Sequence, residues 1–266
     1  MKQVVQIRCK NNKKTQKVAN GSTLSDIFSS FNLKMEHGPV SAKVNNKVEG
    51  MHYRVYNNKD IEFLDMRTSS GSRAYTRTLF FVLCKAVQDL YPGHDVVIDI
   101  PVSNGFYVDV RLERDVTADD VDCIRKRMQE IVDARMPIRR YMVPTEDAIA
   151  LFEEKGDVEK VKLLRTSGSL YTAYYKIGEY VDFYYGTLLT NTSQLYLFGL
   201  EKYYDGMLLR IPSLKNPDEL GEVTRQDKMF EIFKEHHHWQ DIIGIRTVGD
   251  FNAAVDAGHA TDIINI

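Results

Sequence analysis

The feature that most restricts the fold is the crowd of short, alternating segments ahead of Asp65. Val4–Lys10 alternates apolar and polar side chains, Asn11-Asn12-Lys13-Lys14 is a turn, and Thr15–Ala19 repeats the alternation, so the chain opens with a hairpin. Asn20-Gly21-Ser22 breaks that pattern. Thr23 and Asp26 then have the spacing of a capping box in front of a helix, Leu24–Phe31. Val40–Val44, Val48–Glu49 and Ile61–Leu64 supply further short strands, with Asn45-Asn46 as a turn. Two strands, one helix and more strands in so short a span fit a small β-grasp (ubiquitin-like) module, marginal in stability unless it packs on a neighbour.

With 266 residues in all, there is room for a second core. Thr68-Ser69-Ser70-Gly71-Ser72 is small and polar and reads as a linker. Tyr75–Leu90 has apolar residues at helical spacing (Leu79, Val82, Leu83, Ala86, Val87, Leu90) and is stopped by Tyr91-Pro92-Gly93. Val96–Val102 and Phe106–Leu112 flank Ser103-Asn104-Gly105 as a hairpin. Thr117 and Asp120 offer a second capping box, for a helix to about Ala134. Ile138–Val143 reads as a strand, Thr145–Glu154 and Val158–Leu164 as helices. Leu170–Ile177, Tyr180–Tyr185, Gln194–Leu200 and Met207–Ile211 read as strands, and Gln226–Lys234 and Phe251–Ala257 as helices. The expected class is α+β: residues 1–66 the β-grasp domain, 67–74 a linker, 75–225 a mixed α/β sandwich, and 226–266 a helical tail ending in the apolar Asp262–Ile266.

A net charge of −2 excludes an overall basic surface for nucleic acid and leaves room for a local one. Cys9, Cys84 and Cys123 are scattered, which fits a reducing compartment and small buried apolar roles rather than a disulfide framework. No apolar run reaches the roughly 20 residues that span a bilayer, and the expected location is cytoplasmic, with no membrane partner.

The aromatic stretch Gly178–Leu188, with Tyr180, Phe183, Tyr184 and Tyr185 around the single acid Asp182, reads as a strand with one wet face or the wall of a pocket. In company with Leu90-Tyr91-Pro92 and Asn104-Gly105-Phe106-Tyr107-Val108-Asp109, in that order, Gly178-Glu179-Tyr180-Val181-Asp182 resembles the editing domain of threonyl-tRNA synthetases (the second additional domain, shared with alanyl-tRNA synthetases). The first module resembles the TGS domain that precedes it there. The resemblance implies a site built from H-x-x-x-H on the first long helix and C-x-x-x-H after the Gly178 segment. Those positions fall on Arg77 and Phe81, and on Tyr184 and Leu188. None of the four reactive residues is present, and Phe81 and Leu188 can neither ligate a metal nor move a proton. The expectation is therefore no catalytic residue, no metal and no cofactor in these residues. A degenerate cleft (Arg73, Arg77, Phe81, Asp182, Tyr184, Tyr185, Leu188) would bind a nucleoside, nucleotide or RNA end without hydrolysing it.

The order of modules, with Arg246-Thr247-Val248-Gly249-Asp250-Phe251-Asn252 in the tail, also resembles the N-terminal half of bacterial uridine-kinase-like proteins. There a P-loop kinase domain of the uridine kinase and phosphoribulokinase type follows. This sequence contains no G-x-x-x-x-G-K-[ST], so it is expected to be a non-catalytic regulatory segment that ends before such a domain. That kinase domain would be its partner, and ATP and Mg would belong to the kinase alone. The alternatives are a tRNA-binding or editing-related module, and a domain for dimerisation or docking. Arg73, Arg77, Arg139 and Arg140 are candidates for an anion-binding face or, more plainly, for helix and strand charges paired nearby. The tyrosines of 171–185 could stack bases or simply form amphipathic core. Asp182 could orient a neighbouring group or be tied to backbone amides. His236-His237-His238 point about 100° apart on a helix and cannot all face one ion, so a solvated helix end with Trp239 packed is the expectation.

Overall fold

A computed structural model describes residues 3–259; the side chains of Asp99 and Asp241, and the apolar Asp262–Ile266, lie outside that description. The chain forms two compact units. Unit 1 is Met1–Arg139, Ile177–Tyr180 and Tyr184–Thr224, and unit 2 is Arg140–Lys176, Val181–Phe183 and Arg225–Ile266. The class is α+β, as read from the sequence.

Unit 1 begins with β1 (Val4–Cys9), whose strict exposed–buried alternation sends Val5, Ile7 and Cys9 inward. It pairs antiparallel with β2 (Thr15–Ala19). The short strands β3 (Ser22–Thr23) and β6 (Arg54–Val55) pair with each other, a contact too brief to leave a periodic signal. Between them lie α1 (Leu24–Ser30), β4 (Ser41–Val44) and β5 (Lys47–Glu49), and β7 (Lys59–Leu64) completes a five-stranded sheet of order β2-β1-β7-β4-β5. β1 and β7 run parallel at its centre. The Thr23/Asp26 capping box is formed, and α1 buries Leu24 and Ile27 in a core with Ile7, Ala42, Val55 and Ile61.

The expected linker is helical. Thr68 caps α2 (Ser69–Leu90), its hydroxyl oxygen accepting the Gly71 amide at 3.0 Å. A Cβ at Gly71 would stand 1.9 Å from the Asp65 carbonyl oxygen, so glycine is what lets the helix start against the end of β7. Small polar residues here serve a cap and a close approach, not a flexible tether. The helix buries Leu79, Phe81, Val82, Leu83, Ala86 and Val87.

Next, β8 (Val96–Val102) and β9 (Gly105–Val110) turn through Ser103 and Asn104, both at positive φ as a tight hairpin turn requires. With β13 (Gly199–Tyr203) and β14 (Gly206–Arg210) they form an antiparallel sheet of order β13-β14-β9-β8. The strand expected at Gln194–Leu200 is instead a 3-10 turn, Thr192–Gln194, followed by irregular chain into β13. The Gln194 side chain accepts the amides of Thr190 and Asn191, so local capping outcompetes the ladder.

The helix α3 (Ala118–Asp133) packs on α2 and β13. Its capping aspartate, Asp120, also accepts two bonds from Arg114 at 2.6 and 2.8 Å and one from the Tyr91 hydroxyl at 2.7 Å. The Arg114 guanidinium and the Thr117 cap outweigh burial and hold this carboxyl far below the usual range. Burial, with Asp120 beside it, pushes the Tyr91 phenol up to about 12.

Unit 2 contains α4 (Thr145–Glu154), α5 (Val158–Arg165) and all but an end residue of each of β10 (Arg139–Pro144), β11 (Tyr171–Ile177) and β12 (Tyr180–Phe183), with sheet order β10-β11-β12. Ala148, Ile149, Phe152, Leu164 and Val181 make its core. α6 (Asp227–Ile243) runs nine residues beyond the expected end and ends at Gly244 in the left-handed region; α7 (Val248–Asp256) follows behind a Thr247/Asp250 capping box. α7 docks on α5: Gly249 sits against the Leu163 backbone and Asp250 pairs with Lys162. Trp239 is 53% exposed, so the expectation that it packs is corrected, and His236 and His238 are exposed beside it. Cys123 is likewise exposed and Cys84 half-buried; only Cys9 is a buried apolar residue.

Candidate functional site

Arg77 and Phe81 stand one turn apart on α2, and within unit 1 the segment after β12 brings Tyr184 to Phe81 and Gly186 to Arg77. The join is made by Thr78. Its hydroxyl donates to the Ala74 carbonyl at 2.7 Å and accepts the Leu189 amide at 2.9 Å, tying the 184–189 segment to the helix. Further along, Tyr75 donates to the Leu197 carbonyl at 2.8 Å and accepts the Leu197 amide at 3.0 Å. Burial pushes this phenol far above its ordinary value, so it is a neutral clamp rather than a proton carrier. These bonds fix the 184–197 segment along α2.

Phe81 and Leu188 have no exposed surface. The Phe81 ring lies 5.2 Å from that of Tyr180 and 5.8 Å from that of Tyr184, the latter edge-on. Tyr180, Tyr184 and Arg77 are half-buried around it. Gly186 has φ +114°, and a Cβ there would lie 2.7 Å from Cζ of Arg77, so the guanidinium rests against bare backbone. Arg73 is exposed one turn before Arg77, and Tyr185 is 66% exposed. A guanidinium beside phenolic rings offers charge and fixed donors to a phosphate or carboxylate and offers no group that titrates near neutrality.

Asp182 is not one of this group. It belongs to unit 2, is 5% exposed, and faces the Lys160 ammonium at 2.9 Å while accepting the Phe183 amide at 2.6 Å. Lys160 also meets Asp157 at 2.5 Å and lies over the Phe152 ring at 5.6 Å. Burial alone would lower this ammonium, but the two carboxylates win and raise it above the ordinary lysine value. Arg139 and Arg140 are exposed on β10. Among the described residues no group of three His, Cys, Asp or Glu side chains could hold a metal ion, and no helix is long and apolar enough to cross a membrane.

Two contributors escaped the sequence reading. Gly186 was visible as the end of Y-Y-G, and only its φ shows why glycine stands there. Thr78 gave no signal, because a threonine inside an apolar helical stripe is indistinguishable from core.

The chain is similar to threonine–tRNA ligases. That of Syntrophotalea carbinolica is 31% identical over 227 residues, 81% of this chain and 36% of the ligase. Those of Marinobacter nauticus and Acetivibrio thermocellus are each 28% identical over 181 residues, 68% of this chain and 28% of the ligase. No protein-family model matches the chain. It thus spans about a third of the length of the ligases it matches.

Proposed function

We propose that this chain is a recognition module related to the editing part of threonine–tRNA ligases, which binds an RNA or nucleotide end at the Arg77–Tyr184 corner and does not hydrolyse it. The observation that carries this is the pair Phe81 and Leu188. Both positions correspond to reactive groups in the resemblance, and both are side chains without a titratable atom and without exposed surface. Arg73, Arg77, Tyr184 and Tyr185 form the polar rim in this reading, with Asp182 holding its strand through Lys160. The five-stranded module ahead of α2 is taken as the β-grasp module of TGS type, an RNA-contacting companion.

The test has two arms. Full-length chain mixed with mischarged threonine tRNA should leave the ester intact at the buffer rate, and deacylation above that rate would sink the non-hydrolytic reading. Retention of tRNA in a filter assay should weaken about tenfold in Arg77→Ala, the worth of one charged hydrogen bond; unaltered retention would remove Arg77 from the site.

The finer reading, a regulatory segment ahead of a uridine-kinase-type domain that would bring ATP and Mg, is supported by the tail stretch 246–252. That stretch forms the capped start of α7, packed on α5. A P-loop encoded within a few dozen codons after Ile266 would support it, and a stop codon directly after Ile266 would end it.

A further inference from the structure

Apart from the Arg77 corner, unit 1 carries a cleft of about 460 Å³ between the first turns of α3 and the β13–β14 hairpin. That volume lies within the roughly 300–1,000 Å³ of small-molecule sites. Its walls are apolar at Val121, Leu200 and Leu220, and its charged residues are the cations Arg125, Lys202 and Arg210 and the acids Asp122 and Glu201. Arg125 is paired along its own helix with Asp122 at 2.7 Å. Arg210 is in a different position.

The Arg210 side chain is 25% exposed. Its neighbours across the sheet are glycines on both sides, Gly199 of β13 and Gly105 of β9, so no side chain flanks it in either ladder. Nη2 donates to the Gly221 carbonyl at 2.8 Å, which fixes the plane of the guanidinium. Nη1 lies 3.8 Å from the Glu201 carboxylate, close enough to feel its charge and too far for a hydrogen bond. Nε is buried with no acceptor. A guanidinium cannot shed its charge, and donors withdrawn from water without acceptors are costly. Such groups are few in folded proteins, and each calls for a reason. Among the described residues no acceptor reaches Nε and Nη1 has only the Glu201 carboxylate at 3.8 Å, so an acceptor from outside the chain, entering the cleft that Arg210 lines, would meet an under-used guanidinium.

We propose that this cleft is a second binding site, for a small anionic ligand with a planar or apolar body. Its carboxylate or phosphate would be taken by Nη1 of Arg210, with Arg125 at the rim, and its body would lie between Leu200 and Leu220. Glu201 acts against the ligand: it competes for the guanidinium and repels the incoming anion, which sets the site toward weak, exchangeable occupancy.

The full chain titrated with phenyl phosphate, benzoate and the neutral benzyl alcohol, followed through its backbone amide resonances, tests this. Either acid should move the amides of residues 199–202 and 220–221, and benzyl alcohol should not. The stronger of the two acids identifies the head group. Arg210→Met should weaken the response about tenfold or more. Glu201→Gln should strengthen it, a check that leaves Arg210 intact should the first variant fold poorly. No movement of those amides with either acid, equal movement with benzyl alcohol, or weaker binding by Glu201→Gln would each overturn the proposal.

Discussion

Asp182 and Tyr184 are two residues apart and belong to different units, and their surroundings have opposite characters. Asp182 has a full charge, buried and spent on Lys160 and a backbone amide. Tyr184 packs edge-on against the fully buried Phe81, near the half-buried Arg77. In the first place ionic chemistry is present but closed on itself. In the second, packed apolar side chains sit beside a cation. An acid in a motif therefore says little about chemistry until its partner is known.

The largest effects should separate these two places. Phe81→Ala removes a fully buried ring and should cost about 4 kcal/mol, read as a lower urea midpoint with unchanged slope. A loss under about 1 kcal/mol would mean that Phe81 is loosely packed. Asp182→Ala leaves Lys160 with Asp157 alone and should cost about 3 kcal/mol. The double change Lys160→Met with Asp182→Leu should recover most of that, since an apolar pair can join the Phe152 and Val181 core. If the double variant were as unstable as the single one, the ion pair would have a role beyond self-neutralisation.

Acid should sharpen the contrast between the units. Asp120 in unit 1 and Asp250 in unit 2 each close a Thr–Asp capping box beside a cation. The Asp120 carboxyl is lowered chiefly by Arg114. For Asp250 burial acts upward, but Lys162 and the capping amides prevail and lower it. A carboxyl lowered by folding contributes stability that is full above the unfolded value near 3.8 and is lost as pH falls toward the folded value. Stability should therefore drop below about pH 4. Arg114→Ala should flatten that acid limb in unit 1 and leave unit 2 unaffected, as followed by amide exchange in each unit. An unchanged limb would assign the acid response elsewhere.

Much of the scaffold was legible because it is local. The capping boxes at Thr23 and Thr117 and the Ser103–Asn104 hairpin turn all fold as their spacing indicates. What was hidden depends on partners distant in sequence. Ser69–Ser72 looked like a tether because small polar residues suit both linkers and helix starts, and only the Asp65 carbonyl against Gly71 decides between them. Asp182 is grouped with Arg77 in the sequence because two separate segments carry one resemblance; its ion-pair partner, Lys160, lies in a plain amphipathic helix that carries no motif. Trp239 was expected to pack because tryptophan usually does, and what covers a helix cannot be read from the helix itself.

The smallest effect bears most directly on the Arg77 corner. Gly186→Ala puts a side chain where φ is +114° and where Cβ meets the end of the Arg77 guanidinium at 2.7 Å. The guanidinium is the far end of a flexible chain and can swing away, so the stability cost should be mainly backbone strain, about 1 kcal/mol. The displaced guanidinium should nonetheless lower tRNA retention by a factor similar to Arg77→Ala, and combining the two should add little, since both act on one group. Additive losses would instead show that Gly186 and Arg77 contribute separately, and the corner would then be a loop contact beside a helix charge rather than one binding surface.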